Sequence, residues 1–334
     1  MSKVSVLGSG AWGTTMAQVL SDAGNEVQLW GRNSEVISEI NTSHTNSKFL
    51  PGISLPKTII GTLDIQHALT WSEIVVVAIP AQTLRENLNS WREFFPRTKP
   101  TVSTLKGIEL STHLRMTEVM EKVLDIKPDN IGLITGPNLA RELALRQPAG
   151  AVCASTNSEL AEKISLLFNT PYFRVYTSTD LIGCELAGAF KNVIALAVGM
   201  CVGMGMGVNT QAMLITRGLN EVTKLGVALG AQPLTFAGLA GMGDLVATCS
   251  SPMSRNRQFG EVLGRSESYE KARATVASTV EGVSSAAAVV ELAHLVGVEI
   301  PIIEAVADVV SNTLTPQESV KRLMALTTGA EINH

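Results

Sequence analysis

The chain has 334 residues, of which 45% are hydrophobic and 17% charged, and carries a net charge of −4. That length favours two domains over one core, and the balance is that of a globular protein without the overall basic field of a nucleic-acid binder. Cys153, Cys184, Cys201 and Cys249 are widely spaced and form no Cys-x-x-Cys pair, which speaks against a disulfide scaffold or a metal site and for a reducing, cytoplasmic setting.

The N-terminus passes from one lysine straight into a strand-like run, with no signal-peptide pattern. The strand Val4–Leu7 leads into Gly8-Ser9-Gly10-Ala11-Trp12-Gly13 and a helix over Ala11–Ala23. In a G-x-G-x-x-G turn the first glycine makes the bend and the second lets backbone approach a pyrophosphate. The third lets the helix pack on the strand. Amides at the helix N-terminus then hold the anion, so this end reads as dinucleotide-binding. The second strand, Val27–Trp30, is followed by Gly31 and Arg32. An NAD-preferring site usually has an acidic residue near this point, whereas arginine suits a 2′-phosphate. NADP(H) is the preferred cofactor on this reading, with NAD(H) possible.

Further strands are predicted at Ile74–Ile79, Thr101–Leu105, Ile131–Thr135, Ala151–Ala154 and Arg174–Tyr176, some of the later ones antiparallel. Helices fill gaps between them, at Ser111–Leu124 and at Pro137–Arg146 with Pro137 in a first helical position. Alternating strands and helices imply a largely parallel sheet. Ligands of such sheets bind beyond the strands' carboxyl ends. Lys106 arrives there after one strand, and Gly136 and Asn138 after another.

After Asp180, a predicted N-cap, the rhythm becomes helical. Lys191 sits alone in the apolar run Leu186–Leu196, where Ala187, Gly188, Ile194 and Ala195 offer it no carboxylate. Burying an unpaired ammonium is costly and lowers its pKa, which suits proton exchange near neutrality. A snorkelling lysine, or one paired with a distant acid, is the plainer reading. Residues 193 to 208 read as a buried helix whose glycines permit close packing. The run is too short and glycine-rich for a membrane span. Helices follow at Asn209–Leu229, Ser284–Val296, Ile302–Asn312 and Gln317–Leu326. Asp244 falls in a predicted flexible loop, where it could pair with Lys191, orient substrate hydroxyls or cap the next helix. A helix begins near Ser254, and Arg255 and Arg257 in its first turn oppose the macrodipole unless an anion such as phosphate sits among them.

Taken together, Gly8–Thr14, Leu186–Ala195, Leu214-Ile215-Thr216-Arg217-Gly218, Gly243-Asp244-Leu245 and Ser254-Arg255-Asn256-Arg257 resemble bacterial NAD(P)-dependent glycerol-3-phosphate dehydrogenases along essentially the whole chain. The resemblance implies an α/β fold. An N-terminal Rossmann-type domain over 1–180 would precede an all-α C-terminal domain over 181–334, like that of 6-phosphogluconate dehydrogenase. It further implies a homodimer that interconverts dihydroxyacetone phosphate and sn-glycerol 3-phosphate for phospholipid synthesis, with no membrane insertion. Lys191 would be the proton donor and acceptor, with Lys106 and Asp244 beside it. Lys106, Gly136, Asn138, Lys191, Asp244, Ser254, Arg255 and Asn256 would hold substrate. Gly8, Ser9, Gly10, Ala11, Trp12, Gly13, Arg32, Lys106, Ala140, Arg255 and Glu281 would surround the cofactor. The chain departs from the family in having Gly136-Pro137-Asn138-Leu139-Ala140 for Gly-Pro-Ser/Thr-Phe-Ala, and in Ala277-Ser278-Thr279-Val280 before Glu281. Two other readings are a related hydroxy-acid or sugar-acid dehydrogenase and a non-catalytic NADP(H) sensor.

Overall fold

The computed structural model describes residues 1–265, 269–276 and 280–327; Ala277, Ser278 and Thr279 therefore lie outside the described residues. Eight strands form one sheet in the order β3-β2-β1-β4-β5-β6-β7-β8. They are β1 Lys3–Leu7, β2 Glu26–Trp30, β3 Ile59–Thr62, β4 Ile74–Val77, β5 Thr101–Ser103, β6 Ile131–Thr135, β7 Ala149–Ala154 and β8 Phe173–Ser178. Neighbours pair in parallel except β6 with β7, so the last two strands run against the rest. The predicted strands all form, with ends shifted by a few residues. The sequence reading missed β3, a four-residue edge strand interrupted by Gly61.

Strand order reverses between β1 and β4, the crevice where such sheets bind ligands. Val4, Val6, Leu29, Ile74 and Val76 fill one face of the sheet, and Leu7, Val75 and Val77 the other. Both faces are covered, as their near-continuous apolar runs require.

The described elements beyond Asp180 are helices. The Leu181–Gly203 helix is the axis of this half, buried along almost its whole length, with Asp180 accepting the Gly183 amide as its N-cap. By length and composition it could cross a membrane, but 89% of its most apolar window is buried inside the fold. It packs on the Arg255–Gly264 helix through reciprocal glycines. A Cβ on Gly199 would lie 2.1 Å from the Arg257 carbonyl oxygen, and one on Gly260 would lie 2.2 Å from that of Leu196. Glycine at both contacts lets the backbones touch.

Several local expectations are corrected. The helix at Ser111 begins instead at Met116, because Ile108 bridges Arg115 and His113 takes a left-handed φ of 57°. Pro137 is not a first helical residue. A tight turn from Asn138 N to the Gly136 carbonyl (2.8 Å) delays the helix to Ala140–Ala144. Residues 193 to 208 are not one helix. The chain breaks after Gly203, passes Gly205 at φ +76°, and restarts at Val208. The predicted loop before Asp244 is a π-turn, Leu239–Gly243, that runs directly into the Asp244–Ser250 helix.

Candidate active site

Two lysines converge on one carboxylate. Lys106 leaves the end of β5 and crosses the central helix at Gly188, where a Cβ would stand 3.0 Å from Thr135 Oγ1 and 3.5 Å from Lys106 Cγ. Its ammonium donates to Asp244 Oδ2 at 2.5 Å and to the Gly136 carbonyl at 3.0 Å. Lys191 lies one helical turn beyond Gly188 and donates to Asp244 Oδ1 at 2.9 Å and Thr248 Oγ1 at 2.5 Å. The carboxylate missing from the neighbouring positions of its own helix is thus supplied by Asp244. Of the three roles open to Asp244, the geometry shows pairing, and the pairing embraces both lysines. Thr248, one turn after Asp244 on the same face, escaped the sequence reading. The i, i+4 spacing from Asp244 was the available signal.

Asp244 is 2% exposed. Burial alone would raise its pKa, but the two ammoniums and their hydrogen bonds hold it below the ordinary carboxylate value. Lys106 is pushed down to about 8, chiefly by burial and further by Lys191, against the pull of Asp244. Two ammoniums around one carboxylate leave the cluster net positive, a field suited to charge growing on a carbonyl oxygen.

Gly136, at the end of β6, has a φ of +144° that keeps its carbonyl on Lys106. Asn138 lies beside it, but its Nδ2 is committed to the Gly150 carbonyl at 2.9 Å while Oδ1 is buried without a partner. Ser254 caps the Arg255–Gly264 helix, accepting the Arg257 amide at 3.3 Å. Asn256 is buried and ties Asn192 Oδ1 (2.9 Å) to the Gly282 amide (2.9 Å). Asn192 directly follows Lys191, so this bond ties the Ser254–Asn256 turn to the helix that carries Lys191. Arg255 is exposed, with the Glu281 carboxylate as its electrostatic neighbour. Arg257 faces elsewhere. It pairs with Glu261 at 2.8 Å and holds the Cys249 and Ser250 carbonyls, which answers the macrodipole argument without an anion.

The glycine turn shows the expected close approaches. Gly8 has φ +125°, and a Cβ there would lie 2.3 Å from the Ala78 carbonyl oxygen. One on Gly13 would lie 1.8 Å from the Gly8 carbonyl oxygen, whereas one on Gly10 would meet nothing within 4 Å. Ser9, Ala11 and Trp12 fill the bend and first turn, whose leading amides have no intrahelical acceptor. This open, glycine-lined helix start fits a pyrophosphate. Ala140 borders it, its carbonyl taking the Thr15 hydroxyl at 3.2 Å. Arg32 is exposed just past β2, after Gly31, where a Cβ would strike Ser9 Oγ. Glu281 connects the two regions. It accepts a backbone hydrogen bond from Ala81, and its Oε2 lies 3.6 Å from where a Cβ on Gly107 would stand. Burial raises its carboxyl, and Oε2 has no partner.

Known proteins agree with this architecture. Residues 3–161 match the model of the NAD-dependent glycerol-3-phosphate dehydrogenase N-terminus, and residues 180–321 that of its C-terminus. A glycerol-3-phosphate dehydrogenase [NAD(P)+] of Thermobifida fusca is 52% identical over 97% of each chain, and one of Corynebacterium diphtheriae is 51% identical over 98% of this chain and all of that one. The crystal structure of glycerol-3-phosphate dehydrogenase from Coxiella burnetii superposes with a TM-score of 0.92 at 32% identity, covering 97% of this chain and 99% of that one. The chain belongs to the NAD-dependent glycerol-3-phosphate dehydrogenase family.

Proposed function

We propose that the protein interconverts dihydroxyacetone phosphate and sn-glycerol 3-phosphate, using NADP(H) in preference to NAD(H). The observation that carries this reading is the Lys106–Asp244–Lys191 cluster at the sheet's carboxyl edge. A nicotinamide dinucleotide, when bound, supplies the hydride chemistry. The chain's own residues do the rest. Lys191 Nζ stands ready to give a proton to the oxygen of the substrate's C2 carbonyl as negative charge grows there, and Thr248 and Asp244 fix its direction. Lys106 adds a second positive charge, anchored by the Gly136 carbonyl. Asp244 keeps both ammoniums in place and prevents their mutual repulsion from opening the site. Arg255, exposed beside Ser254, grips the phosphate, and that remote binding energy aligns the ketone.

On this reading residues 1–180 form the cofactor domain and 181–334 the substrate domain. The protein works as a homodimer in the cytoplasm, feeding phospholipid synthesis. Its four free, buried cysteines suit a reducing compartment. Arg32 favours NADP(H) because it is exposed where β2 ends and its planar fork can take a 2′-phosphate. Arg32→Asp should move preference from NADPH towards NADH; an unmoved ratio of kcat/KM values would remove that role. The primary test is the loss of NADPH absorbance on adding dihydroxyacetone phosphate to purified protein, with NADH run in parallel. Rapid oxidation is expected. Oxidation with hydroxy-acid precursors, but not with the three-carbon phosphate, would overturn the reading.

A further inference from the structure

The Ser9–Gly10 peptide decides which way the glycine turn presents its amide. The Ser9 carbonyl accepts from Asn46 Nδ2 at 3.0 Å and from Thr14 Oγ1 at 3.4 Å, and Asn46 Nδ2 also donates to Thr14 Oγ1 at 2.8 Å. Asn46 is completely buried, at 0% exposure. In a planar trans peptide the C=O and the following N–H point in opposite directions. Drawing the Ser9 carbonyl towards Asn46 therefore turns the Gly10 N–H to the opposite side, away from Asn46.

Gly10 also makes this orientation vulnerable. A half-turn of the peptide would carry Gly10 from its φ of −72° to a positive φ, which glycine accepts and other residues resist. The flipped peptide would aim a carbonyl oxygen at an arriving phosphate. The same missing side chain that admits the pyrophosphate thus leaves the peptide free to turn away from it.

The segment carrying Asn46 is itself fastened at several points. Glu39 accepts from Thr45 Oγ1 at 2.7 Å and from the Ser47 amide at 2.8 Å. The Asn46 carbonyl takes the Leu50 amide at 2.8 Å, and Arg141 donates to the Pro51 carbonyl at 2.8 Å. Asn46 is therefore a fixed donor held behind the turn.

We propose that Asn46 is a positioning residue for the cofactor's pyrophosphate, selecting through the Ser9 carbonyl the peptide orientation in which the Gly10 amide faces the anion. This rests on the dinucleotide reading above. Asn46→Leu keeps the shape and adds no charge but removes the donor. If the competent orientation falls to about a tenth of molecules, the apparent Kd for NADPH rises about tenfold. That rise is expected in a fluorescence titration, while KM for dihydroxyacetone phosphate at saturating NADPH stays within about twofold; a general structural defect would move both. Should Asn46→Leu fail to fold, Thr14→Val removes the hydroxyl that holds the Asn46 amide and should raise the NADPH Kd about threefold. A folded variant with an unchanged NADPH Kd overturns the proposal. Wild-type protein that binds neither NADPH nor NADH overturns the dinucleotide reading and this inference together, which separates the two failures.

Discussion

Asp244 carries opposite burdens: it is a buried carboxylate, and it is the counter-ion for two ammoniums that would otherwise repel each other at close range. Lys191 is the proton donor proposed above. It sits on a rigid, buried helix with its ammonium aimed by Asp244 and Thr248. Lys191→Ala should lower kcat at least about a thousandfold, as loss of both a general acid and a stabilising charge would, while NADPH still binds. Turnover within about tenfold of wild type would remove Lys191 from the chemistry. Lys106 makes a separate prediction through pH. Burial brings it to about 8, so its positive charge is present below that value and lost above it. Ketone reduction should therefore fall as pH rises through about 8. Lys106→Arg, whose guanidinium stays charged, should keep whatever activity remains flat through that range. A pH–rate profile with the same limb in both proteins would assign it to another group.

At the scale of elements, site geometry depends on how closely the central helix meets the Arg255–Gly264 helix. Gly199, Gly203, Gly260 and Gly264 each leave a gap that the opposing backbone fills; a Cβ on Gly203 would lie 2.2 Å from the Glu261 carbonyl oxygen and one on Gly264 would lie 2.1 Å from that of Met200. Backbone cannot rotate out of the way as a side chain can. Gly199→Ala should thus force the helices apart and destabilise the protein by about 2 kcal/mol, in the range for overpacked cores, despite alanine's better helix propensity. Gly207→Ala is the matched control, since a Cβ there meets nothing within 4 Å. Thermal melts should show a lower Tm for the first variant and little change for the second. Equal melts would mean that the interface relaxes without cost.

Across the whole molecule, a second buried ion pair, besides Lys106–Asp244, bridges the halves. Glu185, on the central helix, accepts from Arg115 at 2.8 Å and from the Thr117 amide and hydroxyl at 2.8 and 2.6 Å, at the start of the Met116–Leu124 helix. Burial raises the Glu185 carboxyl, and Arg115 opposes that rise. Arg115→Ala would strand the carboxylate and cost about 3–5 kcal/mol near neutral pH. The stranded group would then bind a proton more readily folded than unfolded, so the deficit should shrink as pH falls towards 5. All four tryptophans, Trp12, Trp30, Trp71 and Trp91, lie in the sheet half, whereas helices dominate the other. Tryptophan fluorescence and far-UV circular dichroism should give coincident unfolding curves for wild type and separated ones for the variant. Coincident, unshifted curves would show that the pair does not couple the halves.

What the sequence determined by itself was local. Hydrophobic runs located every strand but β3, whose apolar run is broken by Gly61. Gly8, Gly10 and Gly13 marked the turn by their spacing, but only Gly13 answers backbone nearby, at Gly8; the backbone that excludes a Cβ at Gly8 is that of the distant Ala78. Lys191 stood out because the positions three and four residues away on its helix offer no acid. Tertiary structure decided whatever depended on partners distant in the chain. That Asp244 serves both lysines, that Lys191 reaches Thr248, that Asn192 meets Asn256, and that Asn46 stands behind the glycine turn are all contacts between segments far apart in the chain. The π-turn before Asp244 is local, yet the sequence did not show it. Its glycines read as a loop until Gly241 is packed against the Phe236 backbone, which leaves no room for a Cβ and fixes the turn that delivers the carboxylate. Local patterns record where backbone hydrogen bonds close within a segment; charge pairing and close packing are settled only when separate segments meet.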